Sequence, residues 1–270
     1  MHTLQIGAKS YQVPTKWNQL SKKQLLQVVR ILYGPKPKQW DIRLLLLSAI
    51  SAPIGVLLNQ SAIVVVQLYP LTDFLFAEDQ FLTEQLLPEF KLPVQHDAKR
   101  TRWVGPKSSF RNMLFGEFIF ADTYFRLYTT RQVPEALDYL VATLYRPIIP
   151  KLGPSNPRWN GDRRQSFNEH QTEYFIERLK HLAEDEKLAI LTWYRGCRAQ
   201  IEREFPEVFE AAEEAVKTKD AGDWGRVLRK LSGGAFGTLE QTAQQNTRTI
   251  LAEMQDIARA HTKAQNAARK

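Results

Sequence analysis

The stretch from Gly116 to Pro147, GEFIFADTYFRLYTTRQVPEALDYLVATLYRP, constrains the fold more than any other part of the chain. Phe115, Phe118, Ile119 and Asp122 lie on one turn-to-turn track, followed by Tyr124, Phe125 and Leu127. Leu137, Leu140, Val141 and Leu144 then repeat at i, i+3, i+4 and i+7, the spacing of one helical face. Pro134 suits the first turn of the second helix, where its missing N–H is not needed. Arg146-Pro147 ends that helix. Two apolar helices joined by a short turn form a packing module, and it contains no catalytic constellation. Glu117 and Asp122 sit five apart, on different faces of a regular helix, so structural pairing suits them better than acid–base chemistry. Asp122 is expected as a buried partner of Arg126 or Arg146.

The rest of the chain has the means to build a core around this module. Among 270 residues, 43% are hydrophobic, with 14 Phe, 9 Tyr and 6 Trp, which excludes disorder of the whole chain. Length allows one large domain or two modest ones. The formal charge of +8 favours acidic partners, nucleic acid among them, although the basic residues are spread over Lys16–Arg43, Lys99–Arg111 and Arg146–Arg164. A lone cysteine, Cys197, allows no intrachain disulfide and points to a reducing compartment. The first residues lack a signal-peptide pattern, and the longest apolar region, Ile42 to Leu58, is short of a membrane span. A cytoplasmic protein is expected.

Read in order, the chain opens with two alternating segments around Gly7, a β-hairpin signal. Ser21 and Gln24 make a capping box before Leu25, Val28, Val29 and Leu32. Asp41 caps an apolar helix, Ile42 to Ser51. Val56 to Leu68 reads as strand by its β-branched residues and as helix by its length, and length favours helix. Prolines at 70, 88 and 93 break the next region, in which LTDFLFAE and RWV look strand-like and would form a small sheet with the N-terminal hairpin. Ile148 to Asn168 reads as a loop of unusual length. Helices follow over Phe167–Leu182, Asp185–Phe205 and Pro206–Lys217. A short helix capped by Asp223 then ends at Gly233-Gly234, and a last helix follows the Thr238/Gln241 capping box. The expected architecture is mostly α with a small β element, divided as 1–108, 109–262 and a frayed tail at 263–270, or built as one domain.

No catalytic, cofactor or metal site emerges. Gly233-Gly234-Ala235-Phe236-Gly237 lacks the preceding strand and following Lys-Ser/Thr of a phosphate loop, and reads as a helix cap and tight turn. The five histidines are scattered, and His170 and His181 stand too far apart to share an ion. Cys197 lies on an apolar helical face, which suits a core residue better than a nucleophile. The candidate binding residues are instead cations and aromatics in basic sequence: Arg102 and Trp103, then Arg146, Lys151, Arg158, Trp159, Arg163 and Arg164. They suit phosphate or single-strand contact, and equally an anchored protein interface.

A series of segments then carries a resemblance. It comprises Trp17-Asn18-Gln19-Leu20, Leu71-Thr72-Asp73-Phe74-Leu75-Phe76, Phe115-Gly116-Glu117-Phe118 with Ala121-Asp122, and Leu140 through Pro147. Later come Tyr194-Arg195-Gly196-Cys197-Arg198, Phe205-Pro206-Glu207-Val208-Phe209 and Phe236-Gly237-Thr238. Over most of its length the chain resembles an uncharacterised phage- and prophage-associated family of Bacteroidetes-type bacteria. The resemblance implies a virion-morphogenesis protein encoded near the tail tape-measure gene, where tail assembly chaperones sit. It carries over no catalytic residue. The function it implies is non-enzymatic: tail assembly or a tail-associated structural role, binding a long helical partner such as the tape-measure protein or forming a homo-oligomer, in the host cytoplasm or the virion. The alternative is a basic nucleic-acid-binding protein.

Overall fold

The structure is a computed structural model that describes residues 1–35, 39–94, 97–209, 224–234 and 236–268. The chain is mostly α-helical and carries two small antiparallel sheets. It divides into two compact units, Met1–Leu87 with Leu182–Cys197, and Pro88–His181 with Arg198–Lys270.

The first unit begins with the hairpin β1 (His2–Ile6) and β2 (Lys9–Val13). Ile6 pairs with Lys9, so the turn is Gly7-Ala8, and Gly7 takes the left-handed φ of 58° that such a turn demands. Helix α1 (Lys22–Tyr33) starts at the Ser21/Gln24 capping box and buries Leu25, Val28 and Val29. Helix α2 (Ile42–Ile50) starts where the Asp41 carboxylate accepts the Arg43 backbone N–H at 2.7 Å. Val56 to Leu68 is helical, as its length favours, but broken. Helix α3 (Ile54–Leu58) stops at Asn59, and Ser61 caps a new helix, α4 (Ala62–Gln67). Leu44, Leu47, Ala52, Leu57 and Val65 form the core of this region.

Two expectations are corrected here. LTDFLFAE is no strand, because Tyr69–Leu75 is a 3-10 helix. Pro70 near its start favours the turn, and the Thr72 hydroxyl donates to the Tyr69 carbonyl at 2.8 Å while accepting from Arg43 at 2.8 Å. Nor does the hairpin share a sheet with the RWV segment. That segment belongs to a separate sheet in the order β3 (Glu89–Val94), β4 (Asp97–Val104), β5 (Arg146–Pro147). The free edge of β4 is taken by Arg146-Pro147, and the Ile148 N–H donates to the Arg102 carbonyl at 3.0 Å.

In the second unit, α5 (Phe115–Arg131) and α6 (Ala136–Leu144) form the predicted helix pair. Pro134 lies just before α6 rather than inside its first turn. Phe115 and Phe118 meet the Trp224 ring edge-on, with centroids 6.1 and 5.2 Å away. Helix α7 (Thr172–Leu179) puts Phe175 edge-on to Trp103 at 5.3 Å. Helix α8 (Glu184–Glu204) belongs to the first unit up to Cys197 and to the second from Arg198. The second unit then continues with α9 (Trp224–Leu231), α10 (Leu239–Ala243) behind its Thr238/Gln241 capping box, and α11 (Thr247–Ala268). α11 is fixed to the start of α5, where the Thr247 N–H and hydroxyl both donate to the Met113 carbonyl at 2.9 Å. The expected helix beyond Phe209, the Asp223 cap, Ala235 of the glycine cluster, His96, and Arg269 and Lys270 of the tail lie outside the described residues.

Candidate functional site

The most charged part of the interior lies in the second unit, on the opening module. Glu117, on the first turn of α5, is fully buried and holds two arginines. Arg164 meets it with a fork, Nη1 donating to Oε1 at 2.6 Å and Nη2 to Oε2 at 3.1 Å. Arg146 approaches from the end of α6, its Nη1 3.1 Å from Oε1. Asp162 balances the second positive charge, 2.8 Å from Arg164 Nη2. Arg164 also donates to the Leu144 carbonyl, and Arg146 to the carbonyls of Thr143 and Gln165. Buried charges persist only when paired and hydrogen-bonded in this way. Burial depresses both guanidiniums. In Arg164 the carboxylates Glu117 and Asp162 outweigh it and raise the pKa, whereas in Arg146 burial and the neighbouring Arg164 prevail and lower it. Asp162 is itself desolvated, but Arg164 outweighs that and lowers its pKa.

Three of the residues read as contact groups lie in the interior. Arg146 and Arg164 are interior ion-pair partners that tie both ends of the 148–168 loop to α5, so neither presents its charge to a partner. Trp103 is also interior, because β4 pairs it with Phe90 on one side and Pro147 on the other. Arg102, its neighbour on the opposite sheet face, stays partly exposed and binds Glu89, with Nε donating at 2.8 Å. Arg163 donates to the same Glu89 oxygen at 3.0 Å. Lys151 and Arg158 are exposed and Trp159 is half-buried. Arg102, Arg163, Lys151, Arg158 and Trp159 therefore remain as a surface set.

The other acid of the module, Asp122, is a buried structural partner, but of different residues than expected. Arg198 donates to it at 2.5 Å and the Trp224 indole N–H at 2.9 Å. In the first unit, Cys197 is a core residue whose Sγ lies 3.6 Å from the Thr83 carbonyl. Gly196 beside it packs so closely that a Cβ would lie 2.2 Å from the Leu82 carbonyl oxygen. A shallow cleft of about 410 Å³ runs along α1 between Lys22, Lys23, Arg30 and Asp185. Two of its cations are matched, Arg30 being bonded to Asp185 and Lys22 lying 3.6 Å from Glu186. Among the described residues no group of three or more His, Cys, Asp or Glu is placed to hold a metal. Among them, too, no helix is long and apolar enough to cross a membrane.

Sequence reasoning missed the most unusual surface. Helix α4 is apolar on nearly every side, a pattern that normally means burial, yet only Val65 is buried. Ile63 is 73% exposed, Val66 56% and Val64 42%, and Leu58 at the end of α3 is 53% exposed. No charged residue occurs between Arg43 and Asp73. Scattered apolar residues on a surface are ordinary, but several exposed branched side chains on one short helix, in a stretch of sequence without charge, are not. The signal in Val56–Leu68 is its lack of charged positions, which bears on surface chemistry as well as on secondary structure.

The protein is thus mostly helical, with exposed apolar side chains on α3 and α4 of its first unit and several exposed or partly exposed cations on its second. No family model, curated protein or solved structure matches the chain.

Proposed function

We propose that the chain is a non-enzymatic phage tail-assembly or tail-associated protein that binds a helical virion partner, the tape-measure protein being the leading candidate. The observation that carries this reading is the exposed apolar face of α3 and α4. The occupant suited to it is an amphipathic helix of a long helical protein, laying an uncharged stripe of aliphatic side chains over Leu58, Ile63, Val64 and Val66. The lack of charge from Arg43 to Asp73 selects against a charged partner surface, whose groups would be desolvated without counter-charges. The resemblance to phage-associated proteins supplies the virion context. The reading moves the contact surface away from the proline- and arginine-rich loop, whose Arg146 and Arg164 are committed to Glu117. Assembly in the host cytoplasm is the setting it implies, and retention in the virion if the complex survives maturation.

Co-expression with the tape-measure protein of the same phage genome tests it. The wild-type chain is expected to co-purify at micromolar concentration and an Ile63→Asp/Val66→Asp variant to lose its partner. Equal retention of both would remove α4 as the contact, and absence of any complex would remove the reading.

A further inference from the structure

The second unit carries a surface that the protein-binding reading does not use. In the β3–β4 pair, Phe90, Leu92 and Trp103 turn inward, and Glu89, Lys91 and Arg102 lie on the sequence positions between them. Lys91 is directly opposite Arg102 in the register. Like charges facing each other across a sheet are destabilising unless something offsets them. Here Glu89 does so, receiving Arg102 and also Arg163 from the 148–168 loop. Three cations thus surround one carboxylate. Both guanidiniums donate to a single oxygen, Glu89 Oε2, Arg102 through Nε and Nη2 and Arg163 through Nη2, which leaves Nη1 of each for another acceptor.

The loop adds to this face. Its ends are tied together, because the Ile149 N–H donates to the Arg163 carbonyl at 2.8 Å and the Gln165 N–H to the Pro147 carbonyl at 2.8 Å. Lys151 and Arg158 project from it into solvent, with no side-chain partner among the described residues. Trp159 follows Arg158 in the same loop, four positions before Arg163, and is half-buried. The loop's own acid, Asp162, is turned inward, held by Arg164 and by the Asn112 amide at 2.9 Å.

We infer that the outer face of β3–β4 and the tied loop beside it bind the phosphate backbone of single-stranded nucleic acid, with Lys91, Arg102, Lys151, Arg158 and Arg163 as phosphate contacts and Trp159 as a stacking platform. Partly exposed guanidinium forks suit phosphate oxygens. An aromatic set among backbone-tracking cations is the arrangement by which strands are held without sequence preference. The hydrogen bond from Arg102 keeps the Glu89 carboxyl below its ordinary range, so the charge of the cluster is constant through neutral pH.

Fluorescence anisotropy with a labelled single-stranded 20-mer of deoxythymidine tests this, with a poly-glutamate peptide as the second ligand. The wild-type chain is expected to bind the oligonucleotide with a log–log salt slope of about −3, as four or five neutralised phosphates give. Lys91→Glu combined with Arg158→Glu should weaken binding at least tenfold and flatten that slope. Trp159→Ala should weaken it about tenfold with the slope unchanged, since stacking releases no counterions. Glu89→Gln should tighten it, because one repelling charge is removed. All these side chains are at least partly exposed, and thermal melts confirm that each variant stays folded. No binding at low salt, insensitivity to the paired charge reversal, or equal affinity for poly-glutamate would each overturn the inference.

Discussion

Glu117 is the residue on which the second unit depends most. Replacing it with Gln leaves two buried guanidiniums facing Asp162 alone. Removing one member of a buried ion cluster costs about 3–5 kcal/mol, so chemical denaturation of Glu117→Gln should show a loss in that range. Asp162 behaves differently with pH. Its pKa in the folded protein is lowered by Arg164, so its contribution is fully present above the ordinary Asp value near 3.9 and is lost as pH falls through the lowered one. The advantage of wild type over Asp162→Asn in urea denaturation should therefore be largest near neutrality and shrink in acid. In the first unit, Gly196→Ala should destabilise by about 1–3 kcal/mol or more, since its Cβ meets backbone and not a movable side chain. At this scale the sequence was legible where chemistry is unambiguous. Glu117 and Asp122 read as structural acids and Cys197 as core, and all three are buried. It was not legible among the arginines. Arg163 and Arg164 are adjacent and chemically identical, and only the position of Glu117 on a helix forty-odd positions earlier sends one inward and leaves the other at the surface.

Elements were legible to the extent that their signals are local. Both capping boxes, the Asp41 cap and the hairpin turn at Gly7 follow from side chains within three residues of the backbone groups they satisfy. Ser21→Ala should cost about 1 kcal/mol, visible as a lower denaturation midpoint. Helix α5 ends at Gln132, which adopts a left-handed φ of 53° where glycine is the residue without a Cβ penalty. Gln132→Gly should stabilise by up to about 1 kcal/mol. Pairing between distant segments was not legible. Nothing local tells Arg146-Pro147 that the edge of β4 is open to it, and Trp103 became core for the same reason. At Tyr69–Leu75 the Thr72 hydroxyl bonds locally to the Tyr69 carbonyl, but the Arg43 guanidinium that holds Thr72 comes from far upstream, and that part of the 3-10 turn was not legible.

For the whole molecule, the fold class followed from composition and periodicity, but the functional surface did not. A helix that is apolar on all sides predicts its own burial, and α4 departs from that by leaving Ile63, Val64 and Val66 in solvent. Sequence cannot distinguish a buried apolar helix from one that waits for a partner, because both show the same pattern. Under the proposed function, this face is kept apolar for docking and not for folding. The direct measurement compares Ile63→Asp/Val66→Asp with wild type in two assays, thermal unfolding of the isolated chain and co-purification with the tape-measure protein. The expected result is unfolding within about 0.5 kcal/mol of wild type, as for exposed sites, together with loss of the complex. A variant that unfolds while its surviving folded fraction still binds would contradict it.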